Sequence, residues 1–158
     1  MRKRKRTGSG SPVFNPKRKI RGWEGTLEDQ QYATRLAGKV RYTGSPAHKR
    51  NPGDFNLTPP SAPRQNATLC DDAGVFKLRE ARALLKAGAT NGLVDARSDG
   101  EFPLLIWSVR SDGVVFEAEL ENAVRGEYHG YPMPLSDPLR PEILRAARVR
   151  SEILRPAR

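Results

Sequence analysis

Hydrophobic and polar positions are ordered most clearly between Glu101 and Pro132, in EFPLLIWSVRSDGVVFEAELENAVRGEYHGYP. An apolar run from Phe102 to Val109 meets Ser111-Asp112-Gly113, and a second run resumes at Val114. Two antiparallel strands closed by a tight glycine-containing turn have this pattern. In the second run Phe116, Ala118 and Leu120 share one face and Glu117, Glu119 and Glu121 the other. A period of two therefore predicts one face in the core and one in water. A turn at Val124-Arg125-Gly126 leads into residues 127–132, a short third strand expected at the sheet edge and ended by Pro132, which has no N–H to donate.

Helical periods flank this meander. Thr26 followed by Asp29 has the capping pattern, and Leu27, Tyr32 and Leu36 can share a helical face, with Gly38 as the expected stop. Residues 39–43, KVRYT, read as a short strand. A second helix is predicted from a cap at Asp71 or Asp72, with Val75, Leu78, Ala81 and Leu85 on one stripe and Gly88 ending it. Pro141 opens a terminal amphipathic helix, Glu142 to about Leu154, whose arginines make one face basic. Residues 51–68 hold four prolines and no period, and read as an extended loop. The fold class expected is α+β: a small antiparallel meander packed by one or two helices over 23–139, a disordered basic arm over 1–22, and a basic terminal helix over 140–158.

Composition adds that part of the chain has little to bury, because apolar residues make up 37% where roughly 45–50%, glycine included, is usual. The single Cys70 excludes an internal disulfide and fits a reducing, cytoplasmic setting. No apolar run approaches the length of a membrane span, and no leader pattern is present. The net charge of +10 is unevenly placed: residues 1–22 carry +9, residues 140–158 carry +4, and the middle carries −3. The clusters Arg2, Lys3, Arg4, Lys5, Arg6 and Lys17, Arg18, Lys19 would grip phosphates without sequence preference and lose affinity as salt rises. A solvated tail or a bipartite nuclear import signal has the same appearance.

P-loop, GxGxxG, HExxH, GxSxG and zinc-ligand spacings are all absent, so neither metal nor cofactor is expected. The two histidines share surroundings: His48 in RYTGSPAHKR and His129 in GEYHGYP both lie near a tyrosine and beside glycine or proline turns. Brought together, one imidazole would take a proton from a ribose 2′-hydroxyl and the other would protonate the leaving oxygen, with Lys49 and Arg50 stabilising the pentavalent phosphate. Tyr128 or Tyr131 would stack on a base or donate a hydrogen bond. The expected catalytic set is His48, Lys49, His129 and Tyr128, with Arg50, Tyr131, Arg145 and Arg148 joining the arm in binding. The plainer reading makes both histidines turn residues and the tyrosines edge packing.

A helix ahead of a small antiparallel meander, in a short basic chain without metal motifs, resembles the RelE, barnase and colicin-type ribonuclease toxins over roughly residues 26–132. The strings RYTGSPAHK and GEYHGYP also resemble those of small uncharacterised bacterial proteins. The toxin resemblance implies a metal-independent endoribonuclease acting on RNA, with a neutralising or ribonucleoprotein partner, and carries no residue across. The alternative is a non-enzymatic nucleic-acid or ribonucleoprotein-binding module, its basic ends on phosphates and Trp107, Tyr128 or Tyr131 stacking on bases. A third reading has the basic tails recognise an acidic protein.

Overall fold

The Thr26 hydroxyl accepts the Asp29 backbone N–H at 3.1 Å and so starts helix α1, Leu27–Lys39, in the computed structural model, which describes residues 14–43 and 78–153. A two-residue strand β1, Arg41–Tyr42, follows, and then, beyond the undescribed residues, helix α2, Leu78–Thr90. Strands β2 (Ser98–Asp99) and β3 (Phe102–Pro103) form a small antiparallel pair. Strands β4 (Leu105–Val109), β5 (Val115–Asn122) and β6 (Glu127–Pro132) form the expected meander, and helix α3, Arg140–Ile153, closes the described chain. The fold is α+β, with a sheet in the order β1-β6-β5-β4.

The third strand is not an edge. Arg41 and Tyr42 pair in parallel with Glu127 and Tyr128, which makes the sheet mixed and places β6 inside it. A two-residue strand carries almost no periodic signal, and its pairing to residues 86 positions away is a tertiary event. At the opposite edge, Val94 bridges Ile106 and Ile20 bridges Asp95, so two short segments continue the sheet beyond β4.

Both faces of the sheet are covered. Tyr42, Ile106, Phe116, Ala118 and Tyr128 pack against Leu36, Ala81, Leu85 and Ala89 of α1 and α2. On the other face Leu105, Trp107 and Val115 pack with Leu93, Met133, Leu139 and Ile143, beneath α3. The first half of β5 is therefore buried on both sides, and only its second half alternates. Glu117, expected in water, is 6% exposed.

Gly88 does not end α2; the helix runs on to Thr90. The stop is Gly92, in the left-handed region at φ 63°. The Gly92 N–H donates to Ala89 and the Leu93 N–H to Gly88, both at 3.0 Å, the paired bonds of a Schellman motif. Gly88 is instead where α2 touches β4: a Cβ there would stand 2.2 Å from the Trp107 carbonyl oxygen. Gly88→Ala is accordingly expected to destabilise by about 1–3 kcal/mol, as overpacking does. In an unobstructed helix the same change would stabilise by about 1 kcal/mol, so a melting curve reads the sign directly.

Candidate functional site

The Glu117 carboxylate is the hub of the face beneath α3. Trp107 and Tyr131 stand directly opposite it on β4 and β6. Trp107 Nε1 donates to Oε2 at 2.8 Å, Tyr131 Oη donates to Oε1 at 2.5 Å, and the Arg18 guanidinium donates to Oε2 at 2.8 Å. Arg18 also makes two parallel bonds of 2.8 Å to Asp137, the bidentate fork that arginine offers a carboxylate. Asp137 in turn accepts the Leu139 N–H at 3.0 Å, just ahead of α3. Burial opposes the charge on Arg18, but its bonds to Asp137 and Glu117 more than offset that, and its pKa lies above the ordinary arginine value. Burial and the Glu117 carboxylate push Tyr131 well above its usual value, so it remains a donor.

One row further along the same face, His129 lies opposite Glu119. Its Nε2 is 3.7 Å from Glu119 Oε2 and its Nδ1 is 3.7 Å from Glu121 Oε2. Glu121 also accepts the Thr43 hydroxyl at 3.1 Å. Between Leu120 and Asn122 the register with β6 shifts, so Glu121 occupies a bulge. Bulges are frequent beside active sites because they re-aim a side chain. α3 does not cover this row: the His129 side chain is 19% exposed and those of Glu119 and Glu121 about half. An imidazole between two reachable carboxylates can move protons in either direction.

The expected site residues separate into groups. Arg2, Lys3, Arg4, Lys5, Arg6, His48, Lys49 and Arg50 lie outside the described residues. Tyr128, expected to be catalytic, is fully buried on the α1/α2 face and donates to the Pro103 carbonyl at 2.6 Å. Alternation along β6 forces this, since His129 faces the other way. Trp107 is fully buried and occupied by Glu117, so it offers no ring to a base. Tyr131 is half-buried with its hydroxyl committed to Glu117.

The basic arm is also different from expectation over its described part. Residues 14–22 pack on the domain: the Arg21 N–H donates to Val94 at 2.8 Å, the Ala96 N–H donates to Lys19 at 2.7 Å, and Arg18 is held in the buried ion pairs. Lys17 and Lys19 remain exposed on either side of it, as do Arg145 and Arg148 on α3. No spacing in the sequence marks Arg18 as different from its neighbours, because its carboxylate partners lie 99 and 119 residues away.

Arg150 is the second buried cation. It donates to the Gly92 carbonyl and, at 2.7 Å, to the Arg21 carbonyl, and lies over the Trp23 ring. Burial lowers its pKa to about 10, still high enough to hold the charge at neutral pH. Arg150→Met is expected to leave both carbonyls without this donor and to cost about 1–3 kcal/mol, measured by denaturant titration. Arg148→Met, on an exposed position, should change stability by no more than about 0.5 kcal/mol.

No family model matches the chain, and neither a curated protein nor a solved structure matches it.

Proposed function

We propose that the protein binds RNA and cleaves it without a metal ion at the sheet face formed by His129, Glu119 and Glu121. The observation that supports this reading is the placing of His129 between two half-exposed carboxylates at 3.7 Å, on a row left open by α3. Glu121 is engaged by the Thr43 hydroxyl and stands 3.7 Å from Nδ1, which leaves Glu119 as the base. It takes the proton of a ribose 2′-hydroxyl as that oxygen attacks phosphorus. Protonated His129 delivers a proton to the departing 5′-oxygen, leaving a 2′,3′-cyclic phosphate and a free 5′-hydroxyl. Lys17 and Lys19, exposed on either side of Arg18, supply cations that draw the phosphodiester to the domain. This replaces the expected pair of histidines by a histidine and a carboxylate.

A second reading is a binding module without turnover. It is favoured by the carboxylates around His129, which repel a polyanion unless the lysines outweigh them. Incubation of the chain with total cellular RNA in EDTA, beside His129→Ala, separates the two. Discrete fragments ending in cyclic phosphate, lost in the variant, support cleavage; intact RNA that is shifted in a gel at low salt removes the catalytic reading and leaves the module.

A further inference from the structure

A cleft of about 330 Å³ opens between α1 and the β2–β3 pair, away from His129. Tyr32, Arg35, Leu36 and Lys39 follow one another at helical spacings of three, one and three, so a single stripe of α1 lines it with an aromatic ring, two cations and one aliphatic side chain. Arg21 adds a third cation from the packed N-terminal segment, its guanidinium 4.2 Å from the centre of the Tyr32 ring. The Tyr32 hydroxyl lies in the field of both Arg21 and Arg35. Ser98 faces the stripe from the other wall.

The acids of the cleft are accounted for unequally. Asp95 is closed off by Arg97 at 2.6 Å, and Glu101 holds Lys39 at 2.7 Å in a pair whose two side chains are each more than half exposed. Such an exposed pair exchanges readily with another anion. Arg35 has no carboxylate partner among the described residues, and neither the Tyr32 nor the Ser98 hydroxyl has a hydrogen-bond partner there. Cations and hydroxyl donors converging on a partly apolar cleft suit a phosphate carried on a sugar better than a free inorganic ion.

We propose that this cleft binds the phosphate backbone of single-stranded RNA through Arg35 and Lys39, with the Tyr32 and Ser98 hydroxyls completing the contact. The proposal rests on the RNA-binding reading and adds to it a second site, distinct from the His129 face. Glu101 acts there as a competitor that releases Lys39 when the phosphate arrives.

The test is fluorescence anisotropy of a short, labelled 2′-O-methyl RNA, which cannot be cleaved, titrated with the full chain in EDTA over a range of salt. Each single-strand phosphate contact adds about 0.7 to the slope of log K against log salt. Arg35→Ala/Lys39→Ala should therefore lower the slope by about 1.4 and weaken binding. Glu101→Gln should tighten binding, a gain that a merely structural role of this exposed pair would not produce. Unchanged affinity and slope in the double variant, at an unchanged melting temperature, would overturn the cleft, as would weaker binding in Glu101→Gln. Wild-type chain that does not bind the RNA at all overturns the RNA reading and this site with it. Binding that behaves as described, in a protein that fails to cleave natural RNA, removes only the catalysis.

Discussion

Arg18→Met is expected to be among the most destabilising single substitutions in the chain, lowering the free energy of unfolding by about 3–5 kcal/mol. For a protein of this size each kcal/mol moves the melting temperature by about 2–4 °C, so thermal denaturation should show a loss of about 10 °C. The reason is what Arg18 leaves behind. Glu117 and Asp137, both under 10% exposed, would face each other as unpaired buried carboxylates. Glu117 would retain donors from Trp107 and Tyr131, whereas Asp137 would lose both of its parallel bonds to the guanidinium. Removing the negative charges as well should reverse most of the loss, since neutral side chains of the same shape need no counter-ion. Arg18→Met/Glu117→Gln/Asp137→Asn is therefore expected to be more stable than Arg18→Met alone. A triple variant as unstable as the single one would show that the cost lies in lost packing by the arginine stem and not in charge.

His129→Ala should lower RNA cleavage by about 10²–10⁴-fold, the range for loss of a positioned acid or base, while RNA binding persists. Glu119→Gln should fall in the same range, because an amide cannot accept the 2′-hydroxyl proton. Glu121→Gln should lose less, since an amide oxygen can still orient the imidazole. Tyr128→Phe is the internal control. Its hydroxyl is bonded to Pro103 on the far side of the sheet, so the substitution should cost about 1 kcal/mol of stability and leave the rate unchanged. A rate that falls in Tyr128→Phe as steeply as in His129→Ala would mean that both act through folding.

The residues that misled expectation share one feature. Glu117 was placed in water by the period of β5, and the period itself is correct: Phe116 and Ala118 do face α1 and α2. Alternation assigns residues to faces but does not state whether a face is covered, and here α3 arrives from more than twenty residues downstream. Arg18 resembled Lys17 and Lys19 because a guanidinium and an ammonium in a basic run have the same composition whichever one is buried. Gly88 resembled a helix stop because glycine is used for backbone conformation and for close approach alike, and only the Trp107 carbonyl distinguishes them.

The local features were legible from the residues alone: the Thr26 cap, the glycine turns at Gly113 and Gly126, both at positive φ, the β4–β5–β6 meander, and the terminal helix opened near Pro141. Each depends on neighbours within a few positions, where backbone sterics and hydrogen-bond geometry act directly. His129 was singled out together with His48, Lys49 and Tyr128, although alternation along one strand turns the neighbours Tyr128 and His129 to opposite faces. Tertiary structure alone decided that β1 would pair with β6, that Arg18 would join Glu117 to Asp137, that Glu119 and Glu121 would flank His129, and that α1 would line a cleft with Arg35 and Lys39. These are pairings between segments tens of residues apart. They follow from which surfaces bury the most apolar area together, a property of the whole chain that no single window of it contains.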